Sequence, residues 1–261
     1  MNVALLQLPS LMFADTKLEK YLQKCKEKKV KLVALGEYVL HPFFKEFDSI
    51  DSKKISLAND TLPTLHKLSK KYKLDIIAPL LVREHNKLYK TIALIQNDKA
   101  HIYHQQKLIA YEHWNEKSFF DNKIPKSPQI PLTFEKDGFK IGIVAGFEIH
   151  FDEIWLKLKK AQVDVVFLLC SNTFNSKTRW RNLCQMRAFL NSMVILRVNR
   201  VGEMYYEQTL WRFYGDSLFI NANGHIEESL GDKEEMLVVE LDLAQIRHIQ
   251  KEWQFREIAQ F

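Results

Sequence analysis

The stretch Ile141-Gly142-Ile143-Val144-Ala145-Gly146-Phe147-Glu148 decides how this chain folds. Its apolar residues predict a buried strand that ends in polar sequence. Two similar runs precede it, residues 31–37 ending at Glu37 and residues 101–107 ending at Lys107. Helical and strand patterns alternate along the rest of the chain, which predicts a layered α/β protein.

The remaining elements follow from apolar periodicity and from turn and cap residues. Asn97-Asp98 predicts a turn between two strands, and Asp15-Thr16 predicts the cap of a helix. We expect helices after that cap, at 62–72, at 152–160, at 178–192 and from residue 244 onward. We expect strands at 3–8, up to Glu37, and at 74–81, 88–96, 100–106, 132–134, 141–147, 163–169, 193–198, 216–220, 225–230 and 236–241.

Composition and charge narrow the class of protein. The 261 residues are 46% hydrophobic and contain no linker-like or repeated segment, which predicts one domain over residues 1–261. The net charge is +6, but the bases cluster on predicted helices, and no motif indicates nucleic-acid binding. No apolar run approaches the ~20 residues that span a bilayer, and the N-terminus does not resemble a signal peptide. We therefore expect neither a membrane nor a nucleic acid as a partner.

The cysteines and histidines do not form a pattern typical of a metal site. Cys25, Cys170 and Cys184 form an odd set without Cys-x-x-Cys spacing, which argues against a disulfide scaffold and predicts a cytoplasmic location. His101 and His104 lie three residues apart in a predicted strand, so their side chains should point to opposite faces.

The order and context of Glu37, Lys107 and the run ending at Glu148 resemble the nitrilase, or carbon–nitrogen hydrolase, superfamily. Its members carry Glu, Lys and Cys at the ends of three strands, and their nucleophile motif reads roughly Gly-x-x-x-Cys-Tyr-Asp-x-x-Phe-Pro-Glu. On this chain Gly142 takes the first position, and the cysteine falls on Gly146, which has no side chain. Four later segments match weaker family motifs in the right order: Leu169-Cys170-Ser171-Asn172, Arg187-Ala188-Phe189-Leu190-Asn191, Asn199-Arg200-Val201-Gly202 and Phe213-Tyr214-Gly215-Asp216-Ser217. In the second of these, Leu190 replaces the glutamate of the family motif.

The resemblance implies a fold, an assembly and a set of site residues. The fold would be a four-layer α-β-β-α sandwich of two mixed sheets, paired into a homodimer through the helices at 152–160 and 178–192. No cofactor and no metal are implied. The catalytic positions would be Glu37, Lys107, Glu116 and the nucleophile position Gly146, and the substrate-binding residues would be Tyr38, Phe147, Glu148, Cys170 and Asn172.

Three of these residues also have structural interpretations. Glu37 is expected to form an ion pair with Lys107 at neighbouring strand ends, and such a pair would stabilise the fold whether or not it is catalytic. Glu116 could instead be a solvated loop carboxylate. Cys170 could line the pocket, or it could be a small apolar residue of the core.

The function that the resemblance implies is an amidase-like hydrolysis of a small linear amide, carbamoyl compound or nitrile. In such a site a thiolate attacks carbon, a carboxylate moves protons and an ammonium stabilises the oxyanion. Glycine offers no lone pair, so no acyl-enzyme can form at Gly146. Either the chemistry is displaced, with Glu37 activating water or Cys170 attacking, or the chain is an inactive pseudoenzyme that binds a small amide or carboxylate. A third alternative is a variant whose parent has cysteine at position 146.

Overall fold

The structure, a computed structural model, describes residues 1–11, 16–49 and 58–258. The α-helices in these ranges are α1 (Thr16–Glu27), α2 (Ala58–Tyr72), α3 (Glu116–Phe119), α4 (Asp152–Lys160), α5 (Lys177–Asn191) and α6 (Leu243–Trp253), and 3-10 helices cover Phe44–Ser49 and Gly146–His150. The strands are β1 (Asn2–Gln7), β2 (Leu32–Leu35), β3 (Asp75–Glu84), β4 (Lys87–Gln96), β5 (Lys99–His104), β6 (Ala110–Tyr111), β7 (Trp114–Asn115), β8 (Thr133–Lys136), β9 (Phe139–Ala145), β10 (Val165–Cys170), β11 (Val194–Asn199), β12 (Val201–Tyr206), β13 (Thr209–Tyr214), β14 (Leu218–Ile220), β15 (Ile226–Ser229) and β16 (Glu235–Glu240). None of the helices within the described ranges has the length and apolar character needed to cross a membrane.

Twelve of the strands form two six-stranded sheets. The first sheet has the order β16-β1-β2-β3-β4-β5, and the second has the order β15-β14-β11-β10-β9-β8. The three parallel strands of the first sheet are β1, β2 and β3, and those of the second are β9, β10 and β11. The flanking strands of both sheets run antiparallel, so both sheets are mixed.

The apolar strands supply side chains to two cores at once, because successive residues of a strand point to opposite faces. Leu5 of β1 packs between the sheets with Phe167 of β10. The next residue, Leu6, packs on the outer side of the first sheet with Leu22 of α1. On the outer side of the second sheet, Trp155 of α4 packs in a third core. The expected four-layer α-β-β-α sandwich of two mixed sheets is confirmed.

The two sheets touch at the carboxyl ends of their parallel strands. The backbone N–H of Glu37, just after β2, donates to the carbonyl oxygen of Cys170 at the end of β10, at 3.0 Å. A Cβ atom on Gly36 would lie 3.0 Å from that same oxygen and 3.0 Å from the backbone nitrogen of Arg200. The close approach therefore favours glycine at position 36, because a side chain there would push against backbone atoms, and it brings residues from both sheets to one point.

One strand end differs from the sequence expectation in a way that affects the site. β5 ends at His104, so Lys107 lies beyond the strand instead of at its end. The physical reason is that the backbone N–H of Gln106 donates to the carboxylate of Glu148 at 2.7 Å, so it does not continue the strand ladder.

The hairpin of β12 and β13 is not predicted by the sequence pattern. Its turn residues Glu207 and Gln208 have φ values of 44° and 65°, a geometry that usually selects Asn-Gly or glycine. The other expected helices and strands are present, with ends shifted by a few residues. Asp15 of the expected helix cap lies outside the described residues.

Helices α4 and α5 carry three exposed, large apolar side chains. Leu156 is 44% exposed, Met186 is 50% exposed and Leu190 is 45% exposed. Met186 and Leu190 are four residues apart and therefore lie on the same face of α5. Solvent-facing helix surfaces normally carry polar residues, so this surface is suited to a partner.

We predict that a second copy of the chain covers this surface and forms a homodimer. The double substitution Met186→Lys and Leu190→Lys should produce a monomer, because it places charges in the buried contact. Light scattering at micromolar concentration measures the mass of both forms. Tyr205→Lys, which changes an exposed apolar residue on β12, should leave the dimer intact. A monomeric mass for the unmodified chain would contradict the prediction.

Candidate active site

A cleft of about 450 Å³ opens at the carboxyl ends of the parallel strands. Four of the residues expected at the site line it, namely Glu37, Gly146, Phe147 and Asn172. Ser171, which the sequence analysis quoted in a motif but did not propose as a site residue, lies among them. The walls carry the aromatic side chains of Tyr111, Trp114, Phe174 and Trp180.

Behind the cleft, Lys90 forms the centre of a buried charge cluster. Its Nζ lies 3.1 Å from Oε1 of Glu37 and 2.7 Å from Oε1 of Glu116. The hydroxyl of Tyr38 donates to the same oxygen of Glu116 at 2.7 Å. All four side chains are buried. The interpretation of Glu116 as a solvated loop carboxylate is therefore wrong, and Tyr38 serves this cluster and does not line the cleft.

Lys90 is the charged residue that sequence reasoning missed. It lies within β4, where Leu88, Ile92 and Leu94 share its face of the strand and are buried. The sequence therefore contained a sign of a buried charge, because Lys90 occupies a position on the strand face where the neighbouring residues are apolar. Its partners lie far away in the sequence and could not be identified from the pattern.

Opposite charges keep this cluster stable in spite of its burial. Burial raises the pKa of the Glu37 carboxyl, and the ammonium of Lys90 opposes that rise. Burial alone would lower the pKa of Lys90, but the carboxylates of Glu116 and Glu37 outweigh it and raise that pKa. Lys90 therefore stays charged at neutral pH.

Lys107 lies elsewhere, and the expected ion pair between Glu37 and Lys107 is wrong. The Nζ of Lys107 pairs with Oε1 of Glu153 at 3.0 Å and lies 4.7 Å from the ring centre of Phe151. Its side chain is 21% exposed. Because β5 ends before Lys107, the side chain follows the departing chain toward the start of α4 and away from the cluster.

The position expected for a nucleophile has no reactive side chain. Gly146 lines the cleft, and a Cβ atom there would lie 3.0 Å from the carbonyl oxygen of Leu169 and 3.2 Å from Sγ of Cys170. Cys170 itself is fully buried in the core between the second sheet and its helices. Burial raises the pKa of the Cys170 thiol far above its ordinary value. The structure thus places Cys170 in the core, which corrects the expectation that its side chain binds substrate.

Glu148 is a buried structural carboxylate and does not line the cleft. It accepts hydrogen bonds from the hydroxyl of Tyr103 at 2.9 Å and from the backbone N–H of Gln106 at 2.7 Å. Burial raises its pKa to about 7, although these donors act in the opposite direction. The carboxylate ties the segment after β5 to the end of β9, so its expected role in substrate binding is not supported by its position.

The cleft floor contains two polar side chains from the segment that follows β10. Oγ of Ser171 donates to Oε2 of Glu37 at 3.1 Å. Oδ1 of Asn172 accepts from Nη2 of Arg197 at 2.6 Å. Because arginine can only donate, this contact fixes the amide so that Nδ2 remains available to the cleft.

Comparison with known proteins assigns the family. A sequence model described as carbon–nitrogen hydrolase matches residues 2–251, so the chain belongs to the carbon–nitrogen hydrolase family. It is 23% identical over 222 residues to the omega-amidase of Saccharomyces cerevisiae, covering 81% of this chain and 75% of that protein. It is 21% identical to a protein of Staphylococcus aureus named hydrolase in agr operon, covering 94% of this chain and 93% of that protein. The crystal structure of a carbon–nitrogen hydrolase from Helicobacter pylori G27 matches with a TM-score of 0.85 at 17% identity, covering 100% of this chain and 95% of that one.

We predict that Lys90, and not Lys107, is needed for stability. Lys90→Met leaves Glu37 and Glu116 buried without a cation, which typically costs about 3–5 kcal/mol and about 10 °C in melting temperature. Lys107→Met removes a partly exposed pair with Glu153, which is worth about 0–1 kcal/mol. Thermal melts followed by circular dichroism compare the two variants. Equal shifts would contradict the assignment of the buried cation to Lys90.

We also predict a pH dependence of stability that comes from Glu148. Its pKa is raised from 4.5 to about 7 in the folded chain, so the folded state binds this proton more tightly than the unfolded state does. Its contribution to the free energy of unfolding should therefore fall by about 3 kcal/mol as the pH rises from 4.5 to 7, and stay constant above. Urea unfolding at several pH values measures this slope. Glu148→Gln should lose this part of the slope, whatever its overall stability, and an unchanged slope would contradict the prediction.

Proposed function

We propose that the chain is an amidase-like hydrolase of a small linear amide, carbamoyl compound or nitrile, in which Glu37 is the general base. The observation that carries this proposal is the position of Glu37, whose carboxylate lies at the floor of the cleft and is held by Lys90 at 3.1 Å. A base held in this way takes a proton from an attacking O–H group, so the reaction needs no thiol.

The electrostatics of Glu37 support this role. Burial raises its pKa, and a carboxylate with a raised pKa is a stronger base near neutral pH. A positioned acid–base group typically contributes about 10²–10⁴-fold to the rate. The Nδ2 group of Asn172 is a donor in the same cleft and is available for the oxyanion that develops on the substrate.

The dimensions and walls of the cleft support a small substrate. About 450 Å³ accommodates a short chain, and the aromatic side chains of Tyr111, Trp114 and Phe174 offer apolar contact along it. The likeness to the yeast omega-amidase supports an amide as the reacting group. Ammonia and a carboxylic acid would be the products of a primary amide.

A binding protein that does not cleave its ligand is the second candidate. It is favoured by Gly146, which presents no side chain where the family motif has cysteine, and by Lys107, which pairs with Glu153 at 3.0 Å. In this function the cleft would hold a small amide or carboxylate, and Glu37 and Lys90 would act only as buried polar groups.

The proposal predicts that ammonia release from a panel of short amides depends on Glu37. Glu37→Gln should lower kcat/KM by about 100-fold or more, because the amide cannot accept the proton. For the unmodified chain, kcat/KM should fall as the pH is lowered through the raised pKa of Glu37, because the base becomes protonated.

The control is Glu153→Gln, which changes a half-exposed glutamate outside the cluster and should retain the rate of the unmodified chain. Melting curves verify that both variants are folded. Equal rates for Glu37→Gln and the unmodified chain would overturn the assigned base. Calorimetric binding of an amide without any release of ammonia would favour the binding protein.

A further inference from the structure

We propose that Ser171 is the nucleophile of this site and forms an acyl-serine intermediate. The inference rests on the proposed amide hydrolysis and names the group that attacks. Oγ of Ser171 lies 3.1 Å from Oε2 of Glu37, within the reach at which a carboxylate can accept the hydroxyl proton. Lys90 in turn holds the other oxygen of Glu37 at 3.1 Å. One chain of polar contacts thus links the nucleophile Ser171, the base Glu37 and Lys90, which orients the base.

The place of Ser171 in the second sheet supports this assignment. β9 and β10 are parallel neighbours with Ala145 opposite Leu169, and a Cβ atom on Gly146 would lie 3.3 Å from Cα of Cys170. Ser171 therefore directly follows the residue that packs against the nucleophile position of the family motif, and both positions line the cleft. Gly146, which also lines the cleft, has no side chain that could compete with Ser171 as the nucleophile.

The other aliphatic hydroxyls of the cleft lack a base. Among the serines and threonines that line it in the described ranges, Thr173 donates to the carbonyl oxygen of Arg212 at 2.7 Å. Ser176 donates to the carbonyl oxygen of Thr173 at 2.8 Å. Backbone carbonyls do not take up a proton at neutral pH, whereas the carboxylate of Glu37 does.

Glu37 is better placed to activate Ser171 than to activate water. Oε1 faces Lys90 at 3.1 Å, and Oε2 accepts the hydroxyl of Ser171 at 3.1 Å. The hydroxyl already occupies the geometry that proton transfer requires.

The oxyanion donor follows Ser171 directly in the chain. Nη2 of Arg197 donates to Oδ1 of Asn172 at 2.6 Å, which turns Nδ2 away from the arginine. Within the described residues Nδ2 has no hydrogen-bond acceptor, and Asn172 lines the cleft. An asparagine amide is one of the side-chain groups that stabilise an oxyanion in acyl transfer.

The reaction balances with the groups present and water. Oγ of Ser171 attacks the carbonyl carbon while Glu37 accepts the hydroxyl proton. The C–N bond then breaks, Glu37 gives that proton to the leaving nitrogen, and ammonia departs from an acyl-serine ester. Water next attacks the ester, Glu37 accepts a proton from the water and returns it to Oγ, and the carboxylic acid leaves. No oxidant or reductant takes part.

The test combines a covalent probe with turnover. A small alkyl fluorophosphonate reacts with activated serine hydroxyls, and peptide mass spectrometry identifies the labelled residue. We expect the label on Ser171 and not on Ser176, and we expect Glu37→Gln to slow labelling by about 100-fold.

Ser171→Ala should lower ammonia release from short amides by about 100-fold or more. Ser171→Cys should be inactivated by iodoacetamide, and the control Ser229→Ala, on the far edge strand β15, should match the unmodified chain.

The outcomes separate this inference from the proposed function. Ammonia release by a folded Ser171→Ala variant at the rate of the unmodified chain would overturn the serine nucleophile and leave Glu37 with water as its partner. Labelling of Ser171 that depends on Glu37, without ammonia release from any amide, would support the activated serine and overturn the amidase function. Absence of both labelling and release would contradict both.

Discussion

The ammonium of Lys90 is shared by two buried carboxylates, and the geometry of the cleft depends on this arrangement. The ammonium lies 3.1 Å from Glu37 and 2.7 Å from Glu116, and it offsets two negative charges whose burial would otherwise be unfavourable. The same contact orients Glu37, because Oε1 is engaged by Lys90 and Oε2 is left to face Ser171. Tyr38 completes the cluster through Glu116. The direction in which Glu37 can accept a proton is thus a consequence of a salt bridge on the side opposite the cleft.

The second constraint is the contact between the sheets at Gly36. The hydrogen bond from the N–H of Glu37 to the carbonyl oxygen of Cys170 joins the end of β2 to the end of β10. Glu37 follows a strand of the first sheet and Ser171 follows a strand of the second, so their 3.1 Å contact depends on the close approach of the two backbones. A side chain at position 36 would meet backbone atoms of both β10 and the segment after β11. The cleft is therefore a product of sheet packing.

The sequence predicted those helices and strand ends that are determined by residues close together in the chain. Helix α4 has the bounds that periodicity indicated, and Glu37, Gly146, Phe147 and Asn172 line the cleft as expected.

Lys107 was placed wrongly in the ion pair because the end of β5 is set by Glu148, which is distant in sequence. Lys90 was missed because a buried lysine becomes interpretable only once its carboxylate partners are known. The hairpin of β12 and β13 was missed because its turn places positive φ values on Glu207 and Gln208, which carry no turn signature.

The separation of the site residues along the chain has a consequence for folding. Ser171 and Glu37 are 134 residues apart, and β16, at the edge of the first sheet, pairs with β1 from the opposite end of the sequence. Neither sheet can present a finished cleft before the two halves of the chain have met, and contacts of this range form slowly because long loops must close first. The contact between Ser171 and Glu37 therefore exists only where the two sheets are packed together, so a newly made chain acquires this part of the cleft together with its fold.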